Sequence, residues 1–178
     1  MDLGNSLFDP NSMPTTVQIR PCRHSDLPAL EWEGEFIHFR RLYADVYERV
    51  ERGDGLMWVA EMPENGIVGQ LFVSLSSRRG ELSDGRNRAY VYGFRIRPQY
   101  RNQGIGTQMM YMVESDLVKR GYQVVTLNVA QTNPGARRLY ERLGYHVKGF
   151  EPGDWSFIDH LGRRQEVKEP AWRMEKLL

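Results

Sequence analysis

Arg101-Asn102-Gln103-Gly104-Ile105-Gly106-Thr107 is a glycine-bearing turn set between an apolar, strand-like run and a long amphipathic stretch. Gly104 and Gly106 have no Cβ, so the backbone there can approach an anion closely and adopt dihedrals that other residues resist. A helix N-terminus offers N–H groups without intrahelical partners and a partial positive charge. A turn that opens a helix is therefore a cradle for a pyrophosphate. Loop-to-helix turns are also glycine-rich for purely geometric reasons, so the flanks must decide.

Downstream, Ile105, Met109, Met112, Val113 and Leu117 form a helical stripe, with Gly121 in the C-terminal cap position. Residues 124 to 129 then form a buried-type strand. Asn133-Pro134 opens another helix, with a side-chain acceptor at the cap and proline in the first turn; Ala136, Leu139, Tyr140 and Leu143 give its stripe and Gly144 its stop. Residues 145 to 150 read as a strand.

Upstream, residues 89 to 96 form a strand, preceded by a polar loop over 76 to 88. Residues 56 to 61 and 67 to 74 are rich in β-formers and flank Asn65-Gly66, a hairpin turn signal. Residues 17 to 20 alternate apolar and polar as a first strand, and Ser25 or Asp26 can cap a short helix through Leu27, Ala29 and Leu30. Phe39, Leu42, Tyr43, Val46 and Val50 mark one face of an amphipathic helix between residues 36 and 52. Residues 151 to 169 are polar and turn-rich, and 171 to 177 form the last strand. Residues 1 to 15 read as a flexible leader to one domain over 16 to 178. The order is strand, two helices, three strands, helix, strand, helix, two strands. It predicts an α/β fold with a helix-flanked sheet.

The 178 residues suit one core, and 40% apolar with 26% charged residues is ordinary globular composition. A net charge of +1 provides no bulk field for a polyanion, so no nucleic-acid partner is expected. The single Cys22 excludes an intrachain disulfide and a cysteine zinc cluster, and the four histidines lack ligand spacing, so no metal is expected. Without a run of about 18 apolar residues or a secretory signal, the chain is expected in the cytoplasm with no membrane partner. Nucleotide-hydrolysis and dinucleotide-binding motifs are missing.

A second pattern supports the glycine turn from a distance. Leu127-Asn128-Val129, Asn133, Ala136, Leu139-Tyr140-Glu141 and Gly144-Tyr145 follow L-x-V-x-x-x-N-x-x-A-x-x-L-Y-E-x-x-G-aromatic. With Ile96-Arg97-Pro98 leading into Arg101-x-x-Gly104-x-Gly106, the chain resembles the GCN5-related N-acetyltransferase superfamily over residues 17 to 177. The resemblance implies a mixed, mostly antiparallel seven-stranded sheet flanked by about four helices, splayed to admit acetyl-coenzyme A as co-substrate. It assigns Phe94, Ile96, Arg101, Asn102, Gln103, Gly104, Ile105, Gly106 and Thr107 to that ligand, with Asn128, Asn133 and Tyr140 along its arm. Asn102 stands where bacterial members often have glycine, and asparagine tolerates left-handed dihedrals better than most residues.

Acetyl transfer from a thioester to an amine needs a neutral amine, oxyanion stabilisation and a proton for the departing thiolate. The resemblance makes Tyr140 the general acid. Histone-acetylating relatives carry a glutamate where this chain has Tyr90. Glu33 and Glu35, clustered with Glu31 where the family builds its acceptor wall, are replacement candidates by location, and an ordered water is the alternative base. The expectation is an N-acetyltransferase acting on a primary amine of a small molecule or peptide, in a family that often forms homodimers. A non-catalytic acyl-coenzyme A sensor is the alternative.

Overall fold

The computed structural model describes residues 16–178, so the leader expected over 1 to 15 lies outside the described residues. A seven-stranded sheet runs in the order β1 (Gln18–Pro21), β2 (Gly55–Met62), β3 (Gly66–Ser74), β4 (Arg88–Ile96), β5 (Val124–Ala130), β9 (Ala171–Leu177), β6 (His146–Glu151). Among the described strands only β4 and β5 run parallel, because α2 (Ile105–Lys119) carries the chain back across the sheet between them. The expected mixed, mostly antiparallel sheet is the one observed.

Strand alternation sends side chains to two cores. On one face Trp58, Leu71, Val91, Leu127 and Met174 pack beneath α2 and α3 (Pro134–Arg142). On the other Met57, Val59 and Phe72 pack beneath α1 (Arg40–Glu51) with Tyr43 and Val46. Of the residues read as the α2 stripe, Met112 is 44% exposed and Met110 takes the core position, since six buried residues there make a broader stripe than the sequence count assumed.

The short helix expected after the first strand is a 3₁₀ segment, His24–Glu31, with Pro28 inside it; proline disfavours α geometry in the residue before it. Asp26 holds its start by accepting the Arg23 N–H at 2.7 Å and pairing with Arg20 at 2.7 Å. A second difference is larger. Residues 154 to 168, read only as polar and turn-rich, form a separate hairpin of β7 (Asp154–Ile158) and β8 (Arg164–Lys168). Its turn is tied by Asp159, whose carboxylate accepts from the N–H groups of Leu161 and Arg163 and from Gln165 Nε2, each at 2.9 Å.

Candidate active site

The sheet parts where the two halves of the sequence pattern meet. β4 and β5 pair only from Arg88↔Val124 to Val91↔Leu127. Beyond that point Tyr92–Ile96 keeps its partner on β3 and Asn128–Ala130 keeps its partner on β9, with no ladder pair between them. A β-bulge accompanies the parting: the register steps from Gln70↔Arg95 to Phe72↔Tyr92, leaving Gly93 and Phe94 opposite Leu71, one extra residue on β4. Gly93 sits at φ +59°, and a Cβ there would lie 2.4 Å from Phe72 Cδ2, so glycine is required.

The bulge also reverses the strand's phase. Val91 faces the α2 core and so, past the bulge, do Phe94 and Ile96, while Tyr90, Tyr92 and Arg95 share the opposite face. The Arg97 N–H bonds Val68 O on β3 at 2.8 Å, so by strand alternation the Ile96 N–H turns toward the gap.

Beside the gap, α2 begins. Asn102 (φ +59°) and Gly104 (φ +81°) are both left-handed, and among the described residues no side chain caps the helix start. Arg101 Nε donates to Ile96 O at 2.9 Å and Gln103 Nε2 to Gln99 O at 3.0 Å, which folds these side chains back on the loop and leaves the helix-start amides uncovered. The two glycines differ. Among the described residues nothing lies within 4 Å of a Cβ built on Gly104, whereas one on Gly106 would meet Ile96 Cδ1 at 3.3 Å and Leu139 Cδ2 at 3.4 Å. Gly104 therefore leaves room for an anion; Gly106 lets α2 pack closely on β4 and α3. Ile105 is buried, and Thr107 is half-buried.

From α3, Asn133 Oδ1 accepts the Ala136 N–H at 3.0 Å, so that oxygen is spent on capping the helix. Tyr140 is buried edge-on against Tyr145, with ring centroids 5.9 Å apart, and its hydroxyl makes no hydrogen bond among the described residues. Burial, with a smaller contribution from Tyr90, pushes its phenol above the ordinary tyrosine range.

On the α1 face the parted strands floor a cavity of about 730 Å³. Tyr90 and Tyr92 line it as a parallel stack with centroids 5.5 Å apart, and burial pushes Tyr90 up to about 12. Trp155 of β7 and Phe39 line it as a stacked pair with centroids 6.4 Å apart, and Phe157 packs on Phe39 at 4.8 Å, so the unexpected hairpin forms part of the wall. Gln70 and Asn128 line the cavity and bury Oε1 and Oδ1 without hydrogen-bond partners among the described residues.

The glutamates singled out from sequence do not line this cavity. Trp32, Glu33 and Gly34 all have positive φ, and this turn swings Glu33 into a two-bond pair with Arg97 at 2.7 and 2.8 Å. Glu31 pairs with Arg40 at 2.6 and 2.9 Å, and Glu35 is exposed. The carboxylates that do line it are Glu151, Asp154 and Glu169. Glu151 is buried against Arg79 at 2.9 Å and Arg173 at 3.3 Å. Those partners lie 72 and 22 residues away, so no local pattern could reveal the cluster.

A mixed sheet parted at its one parallel pair, with an uncapped helix start beside the gap, is the N-acyltransferase fold. The chain belongs to the acetyltransferase (GNAT) family, whose model matches residues 22–145. It is 25% identical over 107 residues to the uncharacterized N-acetyltransferase YycN of Bacillus subtilis, covering 60% of this chain and 65% of that relative. In fold it is similar to Arabidopsis thaliana NAA60 in complex with acetyl-CoA, at TM-score 0.67 and 20% identity over 92% of this chain and 99% of that one. It is similarly close to a chimera of the spermidine N-acetyltransferase SpeG from Vibrio cholerae, at TM-score 0.66 and 19% identity over 90% and 95% of the two chains.

Proposed function

We propose that the chain transfers the acetyl group of acetyl-coenzyme A directly to a primary amine of a small molecule or peptide. The observation that carries this reading is the β4–β5 gap, which joins an open anion cradle on one side to a large cavity on the other. The residues present fit the donor. Open space at Gly104, a helix start without a side-chain cap and two unpaired strand edges are what a pyrophosphate and an amide-bearing arm require. Amides of Gln103 through Thr107 would hold the pyrophosphate, with Arg101 and Asn102 shaping the turn. Phe94, Ile96, Asn128 and Asn133 would flank the arm. When bound, the donor supplies the activated acetyl group.

The Ile96 N–H, turned toward the gap, stabilises negative charge developing on the acetyl carbonyl. Tyr140 holds the proton for the leaving sulfur, and its upward-shifted phenol keeps that proton at physiological pH. Holding both reactants at one gap supplies much of the acceleration without a covalent nucleophile. Cys22 fits no such role, because burial pushes its thiol up to about 12. Glu33 and Glu35 lie outside the cavity lining, which supports the alternative of an ordered water as the base.

A thiol-release screen with acetyl-coenzyme A against amino acids, polyamines, aminoglycosides and peptide N-termini tests the reading. Saturable release with at least one amine is expected. Tight binding of acetyl-coenzyme A with no release across the panel would leave a non-catalytic acyl-coenzyme A module instead. No helix among the described residues is long and apolar enough to cross a membrane.

A further inference from the structure

We infer that Arg95 recognises an oxyanion in the cavity, so that the amine acetylated here carries a carboxylate or phosphate on its own skeleton. The inference rests on the acetyltransferase reading above. Arg95 lines the cavity two residues past the Gly93 bulge. Its guanidinium carbon lies 3.6 Å from the Phe36 ring centroid, with Phe39 and Trp32 at 5.6 and 5.7 Å. Stacking of this kind satisfies the faces of a guanidinium and leaves its five in-plane N–H donors to find acceptors. One of them does: Nη1 donates to the Tyr43 hydroxyl at 3.0 Å.

Neighbouring arginines are matched with carboxylates. Arg79, on the same cavity, binds Glu151 at 2.9 and 3.0 Å and Glu81 at 2.8 Å. Arg97, on the next turn of chain, takes Glu33 with both terminal nitrogens. Arg95 makes no ion pair among the described residues, although it is only partly exposed. Two carboxylates of this region are engaged elsewhere, Glu31 with Arg40 and Glu151 with Arg79 and Arg173.

The remaining donors of this half-buried guanidinium stay open to the cavity, and its planar fork fits a carboxylate or phosphate with two parallel bonds. Arg95 precedes Ile96, whose N–H the reading above sets at the acetyl carbonyl, so their Cα atoms lie about 3.8 Å apart while their side chains take opposite faces of the strand. The amine of a short amphoteric molecule can thus stand at the gap while its oxyanion meets Arg95. Asp154 and Glu169, which line the same cavity without ion pairs among the described residues, suit the ammonium end of such a molecule as it enters.

The test compares matched acceptor pairs in the thiol-release assay: an amino acid against its carboxamide, and an aminoalkyl phosphate against the amino alcohol. In the wild type the anionic member of at least one pair is expected to have a kcat/KM about tenfold or more higher. The pair that shows it identifies carboxylate or phosphate as the group read. Arg95→Met, which keeps length and aromatic contact but removes charge, should abolish that ratio without moving the KM for acetyl-coenzyme A. Because the ratio is taken within one variant, a general loss of folded protein cancels. Equal values for both pairs in the wild type, or a preference that survives Arg95→Met, overturns the inference. Should no amine be acetylated, the transferase reading fails, and calorimetric titration of N-acetylglycine and O-phosphoethanolamine against N-acetylglycinamide and ethanolamine decides for Arg95 alone. An anion bound about tenfold tighter, with the advantage lost in Arg95→Met, sustains it; equal affinities sink it.

Discussion

The two sides of the β4–β5 gap are built by different means. The donor side is mainly backbone: one contiguous turn, Arg101 through Thr107, whose left-handed residues leave helix-start amides uncovered. The acceptor side is mainly side chain, drawn from α1, β3, β4, β5, the loop before β4 and the β7 hairpin. Backbone sites tolerate exchange of most side chains but not the addition of atoms where glycine leaves room. Side-chain sites change character with single substitutions. The Gly93 bulge is shared, since it both lies at the gap and turns Arg95 into the cavity.

The largest effect is therefore expected at Gly93, where the distinction between the sides should vanish. Gly93→Ala places a Cβ 2.4 Å from the Phe72 ring at φ +59°. Overpacking of about 1–3 kcal/mol adds to a left-handed penalty of about 1–2 kcal/mol. Urea unfolding should show a lowered midpoint, and both acetyl-coenzyme A binding and acceptor turnover should fall. An unchanged midpoint would mean the bulge is not fixed by its glycine. Gly104→Glu, next in size, should break the donor side alone. It puts a like charge into the cradle and should weaken acetyl-coenzyme A by about a hundredfold or more, ~2.7 kcal/mol, by calorimetry. Gly104→Ala has open space around its Cβ and should lose only the backbone penalty of about 1 kcal/mol. Equal affinity for the Glu and Ala variants would remove the pyrophosphate from this turn.

The same contrast explains what could be read in advance. The seven sheet strands, α2, α3 and the glycine turn have local causes: apolar period, caps, and residues that permit positive φ. They were legible for that reason. Gly104 and Gly106 looked equivalent because sequence cannot distinguish open space from close packing; only the neighbouring Ile96 and Leu139 side chains separate them. The hairpin was missed because its strands are mostly exposed and polar, and the strongest signal was the alternation of Trp155 and Phe157. Clustered in sequence, Glu31, Glu33 and Glu35 suggested an acidic wall, yet the turn of positive φ at Trp32 to Gly34 turns two of them to arginines.

Tyr140 stands where the two sides meet, and its substitution separates binding from chemistry. Tyr140→Phe should lower kcat by about 10²-fold while the acetyl-coenzyme A Kd stays within about twofold. The sign of the pKa shift adds a second check. A phenol raised by burial is protonated below its unfolded pKa of 10.0, so its contribution to stability is complete there and is lost as pH rises past that value. No alkaline fall in wild-type kcat below pH 10 should then trace to this group. A limb near neutrality that disappears in the Phe variant would contradict the shift.

The smallest effect expected is at Glu33, and it bears on how the acceptor is deprotonated. Glu33 is exposed, and Arg97 holds its carboxylate below the usual range, through a hydrogen-bonded pair at 2.7 and 2.8 Å. A depressed pKa makes a poorer base, and exposed pairs contribute little to stability. Glu33→Gln should keep kcat within about twofold, with an unshifted acid limb in its pH profile, and Glu35→Gln should behave alike. A water-mediated route instead predicts sensitivity to the polar groups that line the cavity, of which Gln70 and Asn128 bury oxygens lacking partners among the described residues. Asn128→Leu should then lower kcat/KM for the amine more than either glutamate change. A fall of about tenfold or more in Glu33→Gln would reverse that order and make a residue outside the cavity lining part of the acceptor machinery.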